Sequence, residues 1–198
     1  MLFDLNGTLV DDVPRATRST NRALAACALP ALSERRFRDA FRLPLEDFFA
    51  GLGVPAGRRG DAVTTWNAAM AEETAPLMPG TCRVLDHLKR TGIGTGLVSA
   101  AGRPSVHSDL RHHGIDALLD VVHCEIADKR AVLAAEVATA GAAVLYVGDT
   151  EYDVACARDA GAWPVAVGAG YTDGERLRTA APWRLLADLD GLTHTLPA

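Results

Sequence analysis

Apolar residues fall in short, near-continuous runs at Met1 to Leu5, Gly96 to Ala100, Leu119 to Ile126, Ala142 to Val147 and Pro164 to Val167. Runs this short and this uniformly apolar predict strands buried on both faces of a parallel sheet. Between the last four lie stretches with helical spacing: Ser105 to His113, Lys129 to Ala140 and Asp153 to Ala160. That alternation predicts an α/β fold, a doubly wound, Rossmann-like parallel sheet of five strands.

The interval between the first two runs breaks the rhythm. Val13 to Leu29, Ser33 to Phe41, Leu45 to Leu52 and Asp61 to Leu77 all carry helical spacing. Pro30, the Gly51/Gly53 pair with Pro55, and Pro79-Gly80 punctuate them. Residues 15–77 are therefore expected to form an inserted helical cap subdomain on a core made of residues 1–14 and 78–198. Thr81 to Arg90 is the helix leading into the second strand. Only three residues precede Asp4, so the first strand is a stub: either the start is truncated or the sheet tolerates a short centre.

Composition narrows the function. The 198 residues carry a net charge of −5, and the 20 basic residues divide into 18 Arg and 2 Lys, Lys89 and Lys129. A mildly acidic chain without a clustered basic face is not built for nucleic acid. No apolar run approaches the roughly 18 residues of a membrane span. The N-terminus lacks signal-peptide character, and Cys27, Cys82, Cys124 and Cys156 form no CxxC pair. The expectation is a cytoplasmic protein with reduced thiols; oligomeric state cannot be read.

Two segments concentrate polar chemistry at strand ends. In Asp4-Leu5-Asn6-Gly7-Thr8-Leu9-Val10-Asp11-Asp12 a strand ends on an acid and enters a Gly-Thr turn. In Tyr146-Val147-Gly148-Asp149-Thr150-Glu151-Tyr152-Asp153, Asp149 closes another strand and Asp153 stands at a helix start. A polar strand end and a helix cap would explain each segment alone. Together they place carboxylates at the end of a parallel sheet where ligands bind. Converging carboxylates repel unless a cation lies between them, and hard oxygen donors suit Mg²⁺. Ser99, at the end of the second strand, offers a hydroxyl for a phosphoryl oxygen or for its own backbone. Lys129, opening the helix after the third run, is a phosphate partner or a surface charge.

In order and spacing these segments resemble the haloacid dehalogenase superfamily of phosphohydrolases, in its helical-cap, phosphoglycolate phosphatase-like form. The motifs are Asp4-Leu5-Asn6-Gly7-Thr8, Ser99, Lys129 and Gly148-Asp149-Thr150-Glu151-Tyr152-Asp153, with Met78-Pro79-Gly80, Ala160-Gly161 and Gly170-Tyr171 fitting beside them. The resemblance implies that Asp4 attacks the phosphorus of a small phosphorylated metabolite, giving an aspartyl-phosphate that water hydrolyses. It implies Mg²⁺ held by Asp4, the Asn6 carbonyl, Asp149 and Asp153, with Lys129, Ser99 and Thr8 on the phosphoryl oxygens. Arg42, in an interhelix turn of the cap, and Arg103 are candidate contacts to an anionic part of the substrate.

One residue departs from the pattern. The resemblance calls for an acid–base Asp at position 6, where this chain has Asn6. An amide has no proton to exchange. General acid–base catalysis is worth about 10²- to 10⁴-fold, roughly 3–5 kcal/mol of barrier. Asn6 is thus an introduced Asp→Asn change, a natural residue compensated by an easy leaving group or another side chain, or the mark of a weakly active or non-catalytic protein that binds a phosphorylated ligand. Residues 12–80 contain no Lys for Schiff-base chemistry, and Asp149 with Asp153 argues against dehalogenation. Asn6 also counts against a phosphosugar mutase.

Overall fold

A computed structural model gives the fold, described over residues 1–194. The strands are β1 (Leu2–Phe3), β2 (Gly96–Val98), β3 (Val121–His123), β4 (Leu145–Gly148), β5 (Trp163–Val167) and β6 (Arg184–Leu186). They form one parallel sheet in the order β3-β2-β1-β4-β5-β6. The sheet therefore has six strands, one more than the apolar runs predict. β6 is a half-exposed edge strand of Arg184, Leu185 and Leu186, too short and too polar-flanked to leave a recognisable run.

The helices are α1 (Val13–Ala26), α2 (Glu34–Ala40), α3 (Leu45–Gly51), α4 (Arg59–Met70), α5 (Thr81–Arg90), α6 (Arg103–His113), α7 (Lys129–Thr139), α8 (Glu151–Asp159) and α9 (Gly174–Thr179). The short α9, capped by Asp173, falls where the sequence pattern predicted nothing. Among these residues no helix is long and apolar enough to cross a membrane, and all four cysteines are free.

The stub β1 holds the centre of the sheet because it pairs on both sides. Leu2 and Phe3 lie opposite Gly96 and Leu97 of β2 and opposite Tyr146 and Val147 of β4. The ladder continues one residue further, where the Asp4 amide donates to the Val147 carbonyl at 2.8 Å. Phe3, Leu5, Leu85, Leu97, Val106 and Val147 meet in the main core, all fully buried.

Helices α1 to α4 have a separate core in which Phe37, Phe48, Phe49, Trp66 and Met70 interlock. Each such side chain contributes about 1.5–3 kcal/mol by leaving water. Tyr171, from the loop after β5, belongs to this cluster, its ring 4.6 Å from Phe41 and 5.2 Å from Phe37. The helix expected over Asp61 to Leu77 ends at Met70. The chain then runs extended past Pro76, which has no amide proton and disfavours helix before it. It returns alongside its own departure point: the Asp11 amide donates to the Pro76 carbonyl, Val10 bridges Leu77, and the Met78 amide donates to the Leu9 carbonyl. The way into the helical group and the way out are thus tied together.

Candidate active site

Each candidate side chain sits where a strand hands over to a loop or helix. Asp4 follows β1, Ser99 follows β2, Asp149 follows β4, Lys129 is the first residue of α7, and Asp153 lies in the first turn of α8. All face the carboxyl edge of the parallel sheet. The turn after Asp4 depends on Gly7, whose φ of +75° is left-handed and whose missing side chain leaves room for the Asp149 carboxylate and the Tyr171 ring.

The central contact is an ion pair. Lys129 Nζ lies 3.0 Å from Asp4 Oδ1 and 2.7 Å from Asp153 Oδ1, with all three side chains buried. Asp153 closes a capping box: Thr150 Oγ1 lies 2.5 Å from its Oδ2, and its own amide donates back to Thr150. Asp149 accepts from Thr8 Oγ1 at 2.9 Å and from the Tyr171 amide at 2.6 Å. Asp4, Asp149 and Asp153 each bring a carboxylate oxygen within 4.8 Å of the others.

Burial sets the electrostatics. It pushes the Asp4 carboxyl up to about 6, against the pull of Lys129. It raises Asp149 well above the usual carboxylate range, and the nearby charges of Asp153 and Asp4 add to the effect. For Lys129 burial acts downward, but the charges of Asp153 and Asp4 outweigh it and hold the ammonium above its ordinary value. Three carboxylates facing one ammonium leave a deficit of about two positive charges, a donor set that suits a divalent cation.

A small cavity of about 30 Å³ is lined by Asp4, Asn6, Ser99 and Lys129 together with Phe41, Leu43, Leu45 and Trp66. Ser99 is buried there, its Oγ accepting from the Ala101 amide at 3.2 Å. The site therefore unites Asp4, Asn6, Ser99, Lys129, Asp149 and Asp153. Thr8 joins it through Asp149. Arg42 and Arg103 do not line the cavity. Arg42 is exposed with its guanidinium against Gly51, and Arg103 lies beside Glu125, 3.6 Å away.

Behind Asn6 lies a network that the sequence reading missed. Asn6 Nδ2 donates to Asp12 Oδ2 at 2.5 Å. Asp12 is 0% exposed and also accepts from the Gly7 amide at 3.1 Å, the Tyr171 hydroxyl at 3.0 Å and Arg15 Nη2 at 3.3 Å. Arg15, 2% exposed, reaches on to Asp109 through two hydrogen bonds of 2.6 and 2.9 Å. The one signal available was the spacing of an acid and a base three apart at the start of a helix, Asp12 and Arg15. Nothing in the chain pointed to Asp109.

A parallel α/β sheet carrying a buried carboxylate–lysine centre at its carboxyl edge, beneath an inserted helical group, defines a hydrolase of the haloacid dehalogenase type. The sequence profile described as haloacid dehalogenase-like hydrolase matches residues 1–167, and the chain belongs to that family. Among curated relatives, phosphoglycolate phosphatase from Synechococcus elongatus is 28% identical, covering 94% of this chain and 91% of its own. Phosphoglycolate phosphatase from Caulobacter vibrioides is 31% identical, covering 86% and 79%. A haloacid dehalogenase-like family hydrolase from Streptococcus pneumoniae superposes with a TM-score of 0.84 over 98% of this chain and 97% of its own, at 20% identity. That last likeness is one of fold.

Proposed function

We propose that this hydrolase is a Mg²⁺-dependent phosphatase acting on a small phosphorylated metabolite, with Asp4 as nucleophile. The observation that carries the reading is the Asp4–Lys129–Asp153 contact at the carboxyl edge of the sheet, with Asp149 beside it. The family membership and the phosphatases among the relatives support it.

In this reading Asp4 Oδ attacks phosphorus, the alkoxide or phenoxide of the substrate departs, and a carboxyl–phosphate anhydride forms on Asp4. Water then attacks the phosphorus, the Asp4–phosphate bond breaks, and the water proton leaves with inorganic phosphate. Lys129 and Ser99 hold phosphoryl oxygens and Thr8 fixes the orientation of Asp149. Asp4, the Asn6 backbone carbonyl and Asp149 would hold Mg²⁺, which supplies charge neutralisation at the phosphoryl group. Asp153, whose oxygens accept from Lys129 and Thr150, would stand beside the ion as a further carboxylate and position the lysine.

Release of p-nitrophenol from p-nitrophenyl phosphate tests the reading. Activity that needs Mg²⁺ and disappears in Asp4→Asn supports it; activity that survives Asp4→Asn ends it. Asn6 favours a second reading, a phospho-ligand-binding protein without turnover. Inorganic phosphate binding with no turnover in either wild type or Asn6→Asp would select that one.

A further inference from the structure

We infer that the substrate is a phosphate ester of an acidic hydroxyl, a phenol or enol, with no carboxylate near the phosphorus. The inference rests on the phosphatase reading and names its substrate class. Two independent observations converge on it.

The first is the locked amide. Asp12 is a carboxylate surrounded by donors, so the Asn6 side chain must turn its NH₂ toward it. That leaves Oδ1, an acceptor without a proton, as the end available to the cavity. The side chain next to the nucleophile therefore cannot protonate a departing oxygen. A phenol leaves as an anion whose conjugate acid has a pKa of about 10, whereas an alkoxide is about as basic as hydroxide. Without a general acid, the first departs readily and the second does not.

The second is the apolar part of the lining around Asp4. Phe41, Leu43, Leu45 and Trp66 form it, and Lys129, the one cation lining the cavity among the described residues, is taken up by Asp4, Asp153 and the phosphoryl group. The nearby arginines are turned away: Arg38 donates to the Gly170 carbonyl, Arg42 lies on Gly51, and Arg103 faces Glu125. Leu43, Leu45 and Ala100 also border a larger cleft of about 680 Å³ that continues outward between the helical group and the sheet. Its charged side chains are Glu46, Asp47 and Glu125, and no Lys or Arg lines it among the described residues. Such walls repel a carboxylate and accept a flat, uncharged ring.

The experiment compares kcat/KM with Mg²⁺ for four esters: p-nitrophenyl, phenyl and benzyl phosphate, and phosphoglycolate. Benzyl phosphate keeps the ring but loses the acidic hydroxyl, which separates leaving-group acidity from fit. The expected order is p-nitrophenyl, then phenyl, with benzyl phosphate and phosphoglycolate at least about 100-fold below phenyl phosphate. In the exchange variant Asn6→Asp/Asp12→Asn, which keeps the hydrogen bond but puts the carboxyl at position 6, the phenyl–benzyl gap should shrink at least tenfold. Binding gives a readout independent of turnover: wild type should bind phenylphosphonate at least tenfold more tightly than phosphonoacetate. Equal rates for phenyl and benzyl phosphate, or preference for phosphoglycolate or phosphonoacetate, would overturn the inference and leave the phosphatase reading standing. Hydrolysis of none of the four by wild type or exchange variant would sink both.

Discussion

Lys129 donates to Asp153 across 2.7 Å in a site that water scarcely reaches. Asp153 is in turn fixed by Thr150, so the lysine that meets Asp4 is held from a helix start.

Lys129→Met would leave three buried carboxylates without their ammonium. Breaking one side of a buried charge cluster costs about 3–5 kcal/mol. Urea unfolding of the metal-free variant should show that loss, and millimolar Mg²⁺ should recover part of it. Phosphatase activity should fall at least 100-fold even where the variant is folded, because Lys129 also faces the phosphoryl oxygens.

Asp4 makes metal-free stability fall with rising pH. Its carboxyl titrates near 6 in the folded protein against 3.8 ordinarily, so between those values the folded protein binds more protons than the unfolded chain. Its contribution is full below about pH 4 and lost as pH rises through about 6. The difference in melting temperature between wild type and Asp4→Asn isolates this: wild type should lose ground to the variant from about pH 4 to 7. Mg²⁺ should reverse the trend, since it favours the ionised carboxylate. A difference independent of pH would contradict it.

Asn6→Asp alone brings a second carboxyl to Asp12 at the distance now spanned by the amide, 2.5 Å. Two carboxyls that close share a proton. The variant should therefore gain a general acid near neutrality, with turnover of benzyl phosphate up at least tenfold and a bell-shaped pH profile. p-Nitrophenyl phosphate, which leaves unaided, should respond far less.

Asp109→Ala removes the bidentate partner of Arg15, and with it the acceptor for the Ala75 amide at 3.3 Å. Arg15 would remain buried with Asp12 as its carboxylate partner. A loss of about 3–5 kcal/mol in chemical denaturation is expected, with KM for p-nitrophenyl phosphate little changed at temperatures where the protein stays folded.

The strands that end on Asp4, Ser99 and Asp149 were legible because they lie inside the sheet: the run of Tyr146 and Val147 ending on Asp149 has no polar interruption. The edge strand Arg184–Leu186 was hidden because it is three residues long and opens on a charged one, whereas the other edge strand, Val121–His123, lies within the longer apolar run from Leu119 to Ile126. The predicted Asp61 to Leu77 helix stops at Met70, and the non-helical segment through Pro76 pairs instead with the chain at Leu9 to Asp11. Asp4, Lys129, Asp149 and Asp153 stood out by motif. Asp12 stood in the same segment as Asp4 yet carried no role there, because its meaning comes from Tyr171 and Asp109, far along the chain. Arg42 sat in a promising turn, but chain position says nothing about which way a long side chain turns.

The bridge between Val10 and Leu77 closes the detour through α1 to α4 at its base. Closing a longer loop costs only slightly more entropy. The sheet is therefore nearly indifferent to the length of what is threaded through that doorway. Selection can rebuild or exchange the helices above the nucleophile, and so remake what the enzyme accepts, without altering the register of a single strand beneath.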